Sequence, residues 1–276
     1  MDSRSAMSGA GRLLVARYEA LGRARRLLWA MSLVSVVALF AALLTAGEPD
    51  RGQSMAVPAY FYAGPYWTQM EQARPVLQIA VMNPASGPGA APDPQYVTTV
   101  RAAQATGITV VGYVHTSDAA RSLSAVESDV NAYYRWYAVN GIFFDEGSTD
   151  CADASYYAKL NSFVKAKGGT ARTILNPGTQ THECYLPDAD ILLTFEGSDT
   201  QYVNSYSAPS WVARYSPTHF WHVIYGASTV SAMTHAIQLS KRRGAGFVYV
   251  TSATLQNPYS VLPRGLYWSK ELAGIR

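Results

Sequence analysis

A chain of 276 residues that is 49% hydrophobic and only 15% charged holds enough apolar surface for one large core, which excludes a disordered protein. The net charge of +3 is confined to one end. Six arginines against Asp2 and Glu19 give residues 1–26 a charge of +4, so the remainder sums to −1 and offers no nucleic-acid surface.

Residues 1–26 read as a basic n-region. The stretch "LLWAMSLVSVVALFAALLTA", 27–46, follows Arg25-Arg26 with no charge over 20 residues, long enough to cross a bilayer as a helix. Arginines before it and Glu48 and Asp50 after it place the N-terminus in the cytoplasm and export everything beyond. The long basic region favours an uncleaved signal anchor. Ala46 with Leu44 also makes an acceptable cleavage site, which would release the protein. A linker, 47–55, then leads into a domain at 56–276.

Eight apolar runs follow: 57–63, 76–84, 108–115, 141–146, 172–177, 190–196, 219–226 and 246–252. Most are continuous and not alternating, as strands covered on both faces of a parallel sheet require. Helical patterns separate them. Asp93-Pro94 reads as a cap and first helical residue, with Gly107 closing that helix. Ser124 and Glu127 read as a capping box ahead of Val126, Val130, Tyr133, Tyr134 and Tyr137 on one face. Residues 155–167 carry Tyr156, Leu160, Phe163 and Val164 at helical spacing. Val230, Met233 and Ile237 run into "KRRG", basic residues and a glycine at a C-terminus. The connections after strands 1 and 5 are short. Eight alternations predict an α/β protein, a (β/α)8 TIM-type barrel whose usual size is about 250 residues, preceded by one transmembrane or signal-anchor helix. A doubly wound sheet is the competitor, and no glycine-rich phosphate motif supports it.

Barrels do chemistry at the C-terminal ends of their strands, and polar residues collect there. Tyr60 and Tyr62 end strand 1, with Tyr66 and Trp67 just beyond, the two tyrosines nearest Trp67 forming with it a sugar-stacking platform. Asn83 ends strand 2, Tyr113 and His115 strand 3, Asn176 strand 5 and Tyr225 strand 7, all expected to bind substrate. Asn83 and Asn176, each before a proline, read equally as turn residues. His115 and His222 read as hydrogen-bonded structural or rim residues. Asp145-Glu146 closes strand 4 and Glu196 closes strand 6. A glycosidase needs two carboxyl groups across the scissile bond, one to protonate the leaving oxygen and one to attack carbon or activate water. Acids at two facing strand ends meet that need. No metal or organic cofactor is required, and a metal site from Asp145, Glu146, His182 and Glu183 lacks ligand spacing. The two cysteines, Cys151 and Cys184, read as a bridged pair in an exported chain.

With "VPAYFYAGP" opening the domain, "NGIFFDEGS" on strand 4 and "DILLTFEGS" on strand 6, the chain resembles the spherulin-4-like, spherulation-specific family 4 proteins, grouped with glycoside hydrolase family 135. The resemblance covers about 55–276. It implies a (β/α)8 hydrolase of α-1,4-linked galactosamine and N-acetylgalactosamine exopolysaccharide, with Asp145, Glu146 and Glu196 as catalytic residues. Asp145 is then expected as nucleophile or base, Glu196 as general acid, and Glu146 as the residue that orients or tunes one of them, the roles of Asp145 and Glu146 being open to exchange. Neighbouring residues of an ideal strand point to opposite faces, so Asp145 and Glu146 cannot both face inward without a break. The expected partners are the polysaccharide and, if 27–46 is retained, the membrane, for a monomeric protein. The rival readings are a non-catalytic glycan-binding barrel and a barrel glycosidase acting on a different polysaccharide. The chitinase run D-x-x-D-x-D-x-E is absent from the chain.

Overall fold

The computed structural model describes residues 52–276. The basic n-region and the apolar segment 27–46 lie outside the described residues. Among the described residues no helix is long and apolar enough to cross a membrane.

The eight strands form a closed barrel in which every strand pairs in parallel with the next and β8 returns to β1. They are β1 (Ser54–Ala59), β2 (Leu77–Met82), β3 (Thr109–His115), β4 (Gly141–Asp145), β5 (Arg172–Leu175), β6 (Ile191–Ser198), β7 (Phe220–Tyr225) and β8 (Phe247–Val250). The continuous apolar runs are these strands, because both faces are covered: β2, β3 and β7 are buried over most of their length. Among the described residues, seven helices pack outside: α1 (Pro65–Glu71), α2 (Pro94–Ala105), α3 (Leu123–Tyr137), α4 (Ala154–Lys165), α5 (Asp199–Asn204), α6 (Val230–Arg242) and α7 (Gly265–Ile275). The connection after β5 holds only a 3-10 turn, Glu183–Asp188.

Two local expectations are corrected. The first strand ends at Ala59, because its ladder partner β2 ends at Met82; Tyr60 and Tyr62 therefore lie in the β1–α1 loop and not in a strand. The cap of α3 is Ser122, whose hydroxyl accepts from the Ala125 amide, two residues before the expected Ser124. A capping box does occur, at Ser198 and Gln201 ahead of α5.

Inside the barrel, the Phe143 ring packs on Tyr113 and on Trp221, at centroid distances of 6.2 and 5.8 Å. Outside it, Gly112 lets α3 approach β3: a Cβ there would meet the Tyr133 ring at 2.5 Å. The β1–β8 seam is short, with two paired positions. Above them the Val250 amide donates to Glu271 Oε1 of α7 at 2.9 Å, so a buried carboxyl takes up a strand's unpaired donor. Cys151 and Cys184 are bonded, with Cα atoms 5.9 Å apart, and this joins the β4–α4 loop to the β5–β6 connection.

Candidate active site

Phe143 faces the barrel interior, and Asp145, two residues on, shares its face. The strand then stops. Glu146 takes a left-handed conformation (φ 51°) that turns its side chain to the exposed rim, where Ser117 Oγ donates to it at 3.2 Å. Left-handed backbone is costly for a non-glycine residue and persists only where the surroundings over-determine it. Here they do. The Thr116 hydroxyl lies 3.0 and 2.8 Å from the carbonyls of Asp145 and Glu146, and the Asp118 amide donates to the Glu146 carbonyl at 2.8 Å. Ser117, Asp118 and Ala119 of the adjoining loop are left-handed as well. Gly147 comes next, where a Cβ would meet the end of the Leu175 side chain at 2.7 Å and the Asn176 carbonyl oxygen at 3.2 Å, so a larger residue would need Leu175 to shift.

Asn176 is buried just beyond β5 and joins the two inward carboxylates. Its Nδ2 donates to Asp145 Oδ1 at 2.7 Å and to Glu196 Oε2 at 2.6 Å. The two distances bound the separation of those oxygens at about 5.3 Å, their sum. The Gly178 amide donates to Asn176 Oδ1 at 2.9 Å, which holds the amide with its NH2 toward the acids. Glu196 takes a second donor, the Tyr259 hydroxyl, at 2.7 Å. The Tyr113 hydroxyl stands against Asp145. Tyr60 sets its ring edge-on to both Tyr113 and Tyr259, at 5.5 and 5.7 Å. The carboxylates thus sit in a tyrosine cage.

That enclosure moves the titrations. Burial, and then the charge of Glu196, pushes the Asp145 carboxyl up to about 6, against offsetting donors from Tyr113, the Glu146 amide and Asn176. The hydroxyls of Tyr113 and Tyr259 are held well above the usual tyrosine range, by burial first and then by the neighbouring acids. Tyr60 shifts the same way, by burial, then Asp145, then Glu196.

The structure therefore brings Asp145, Glu196, Asn176, Tyr113 and Tyr60 together. His115 lies beside Asp145 in register, and Tyr225 closes β7 near Tyr259. Three expected site residues stand apart. Asn83 is a turn residue whose Oδ1 accepts from the Gly87 amide. Tyr62 is exposed and donates to Asp93. Glu146 sits on the rim. The expected stacking platform disperses, because α1 puts Trp67 on its buried face while Tyr66 packs under the Arg264 guanidinium. Glu183 does not join Asp145 and Glu146; it pairs with Arg214 and Tyr215. His222 is buried among Thr194, Tyr202 and Tyr206, with burial and then Arg243 lowering it to about 3, so it is a neutral structural residue. Tyr259 is the residue that sequence reasoning missed. Its signal was present: "NPY" repeats the Asn-Pro that follows strands 2 and 5.

A cavity of 350 Å³ opens beside Glu196, between the β5–β6 connection and α5. A larger one, 640 Å³, lies at the opposite end of the barrel among Thr109, Asn140 and Arg172, at the N-terminal ends of strands and away from the acids.

The family model for spherulation-specific family 4 matches residues 54–275. The chain belongs to this family. It is 38% identical over 172 residues to spherulin-4 of Physarum polycephalum, covering 61% of this chain and 50% of that one, so the chain spans about half the length of that curated relative. Among solved structures, this spherulin-4 family barrel superposes on Aspergillus clavatus Sph3, solved in complex with GalNAc, with a TM-score of 0.72 at 25% identity over 81% of this chain and 97% of that one. A chitinase from Chromobacterium violaceum matches with a TM-score of 0.54 at 13% identity, covering 80% of this chain and 99% of that one, and shares the fold.

Proposed function

We propose that this protein is a retaining, endo-acting glycoside hydrolase of an amino-sugar polymer of the α-1,4-linked galactosamine and N-acetylgalactosamine type. The observation that carries the reading is the single Asn176 amide shared by Asp145 and Glu196. It holds Asp145 Oδ1 and Glu196 Oε2 no more than about 5.3 Å apart, short of the roughly 6.5–9.5 Å at which inverting enzymes leave room for a water and compatible with the about 5–5.5 Å of retaining enzymes. The GalNAc bound by the Aspergillus neighbour supports an amino sugar as the ligand.

Asp145 is the nucleophile. It is short, fixed at the end of a strand, and held on its main chain by Thr116. Glu196 is the acid and base. It borders the open cavity, through which a leaving sugar departs and water enters. In the first step Asp145 attacks the anomeric carbon as Glu196 gives its proton to the glycosidic oxygen, leaving a glycosyl–Asp145 ester. In the second, Glu196 takes a proton from water, the oxygen attacks the same carbon, and the Asp145 carboxylate is released. Asn176, Tyr113 and Tyr259 hold both acids in place.

The disulfide supports export to an oxidising compartment, with 27–46 as signal or anchor. The test of activity is reducing-end release from galactosaminogalactan by the wild type and by Glu196→Gln. Release by the first and loss in the second is expected. Glycan binding without release by the wild type would leave a binding protein and not a hydrolase. Proton NMR of the first product reads the anomer and decides retention.

A further inference from the structure

The 640 Å³ cavity at the N-terminal ends of the strands differs in charge from the acidic mouth. Three successive turns build it: α2 into β3, α3 into β4 and α4 into β5. Its lining residues include Lys167 and Arg172 and no acid. Both cations are exposed, and neither joins an ion pair among the described residues. Lys167 Nζ donates to the neutral Asn131 Oδ1 at 2.5 Å and lies 4.2 Å from the centre of the Phe163 ring, so its charge is placed but not neutralised. Gly107, also in the lining, packs under the Arg74 guanidinium, where a Cβ would meet Nη2 at 3.0 Å. Three positive charges therefore border a space whose wall holds no negative one. The neutral groups are sorted by their own bonds. Gln104 Nε2 donates to the Ala138 carbonyl at 2.8 Å and to Asn140 Oδ1 at 3.0 Å, which leaves Gln104 Oε1 as an acceptor. Asn140 Oδ1 also accepts from the Val110 amide at 2.9 Å, which leaves the Asn140 NH2 as a donor. A fixed donor and a fixed acceptor on adjoining amides meet a hydroxyl in both its roles.

We propose that this cavity is a second carbohydrate site, which binds a negatively charged sugar unit of an acidic polysaccharide and takes no part in catalysis. The volume lies within the range of about 300–1,000 Å³ usual for small-molecule sites. The Arg172 guanidinium presents paired donors that match a carboxylate or phosphate group, and Lys167 adds a point charge beside it. The Asn140 and Gln104 amides then take a sugar hydroxyl. A neutral sugar would leave both cations unmatched, and a bare inorganic anion would leave both amides unmatched. A polymer with free amines is repelled here by charge. The two ends of the barrel thus sort polymers by sign: the base holds an acidic one while the mouth, with Asp145 and Glu196, faces another. The site does not depend on hydrolysis at those two acids.

The test is isothermal titration of the full chain with polygalacturonate at low salt, beside dextran, inorganic phosphate and polyglutamate of matched charge. Polygalacturonate is expected to bind at least about tenfold more tightly than any of the three. Arg172→Gln, and separately Lys167→Gln, are expected to weaken it about tenfold each. Asn140→Asp keeps the acceptor for Val110 and puts an acid in the wall, and is expected to abolish binding. Melting temperatures are checked against the wild type. Reducing-end release from galactosaminogalactan is expected to stay unchanged in all three variants, which lie at the opposite end of the barrel from the acids. No binding of polygalacturonate by the wild type would overturn the inference. Equal binding of phosphate or polyglutamate would overturn the sugar assignment and leave a general anion patch. Folded variants that bind as the wild type does would put the polymer elsewhere and overturn the site. Binding intact in a wild type that releases no reducing ends would sink the hydrolase reading and leave this site standing.

Discussion

Asn176 is the residue whose loss has the most calculable effect. Its NH2 makes two hydrogen bonds to carboxylates, at 2.7 and 2.6 Å, in a buried setting. Hydrogen bonds to charged groups contribute about 1.5–3 kcal/mol each, so removing both costs about 3–6 kcal/mol of organisation at the two acids. If that organisation is needed in the transition state, Asn176→Ala lowers kcat/KM by about two to four orders of magnitude. The direction in pH is also determined. The Asn176 donor favours ionised Asp145, whose carboxyl burial and Glu196 have already raised to about 6. Without that donor the Asp145 carboxyl moves higher. The nucleophile must be ionised, so activity is lost as pH falls through that value, and the acid limb of kcat/KM shifts to higher pH in the variant. Asn176→Asp keeps the acceptor for the Gly178 amide and replaces the donor with a third acid, which moves the limb further in the same direction. The assay is kcat/KM against pH for the three proteins, with folding checked by thermal melting. An acid limb that stays in place in a folded, slowed variant would refute the bridging role. A wild-type enzyme that loses activity as pH rises through about 6 would reverse the roles of Asp145 and Glu196.

Three further outcomes follow from single contacts. Glu271 is fully buried with Oε2 unpartnered, and burial raises it from 4.5 to about 8. Its contribution is complete below pH 4.5 and is lost as pH rises through about 8, so urea denaturation is expected to show Glu271→Gln gaining about 4 kcal/mol on the wild type between pH 5 and pH 9, and parallel pH curves would contradict this. Tyr259→Phe removes one donor from Glu196 and is expected to lower kcat by about ten- to a hundredfold with little change in melting temperature; unchanged turnover would remove Tyr259 from the site. Reducing the Cys151–Cys184 bond, which spans 33 residues, is expected to cost about 2–4 kcal/mol in denaturation experiments, an effect that should vanish in a Cys151→Ser/Cys184→Ser background.

Much of the barrel was legible because parallel strands buried on both faces leave uninterrupted apolar runs, and most of the eight were visible as such. Strand ends were less so. A ladder stops where its partner stops, so β1 ends with β2, and nothing in "VPAYFYA" marks that point. The loss of the stacking platform has a similar cause. Tyr62, Tyr66 and Trp67 are adjacent in sequence, but a short helix begins at Pro65 and sends Trp67 to the core.

The split of Asp145 from Glu146 was illegible for a different reason. Alternation says that only one of them faces inward, and the preceding Phe143-Phe144 pair is apolar on both faces, so no parity can be read from it. Parity enters through tertiary contact. Phe143 packs on Trp221 from the opposite side of the barrel, which puts Asp145 on the interior face two residues later. Glu146 is then released from the strand by a left-handed turn that a lone glutamate does not favour, and that Thr116 and Asp118, from another strand's loop, hold in place. Tyr259 makes the same point at longer range. It reaches Glu196 across 63 residues, and the parallel pairing of β6 with β7 and of β7 with β8 brings its loop to that side of the mouth. The carboxylates could be named from their strands, whereas the groups that hold them, Asn176 aside, arrive with the closed barrel.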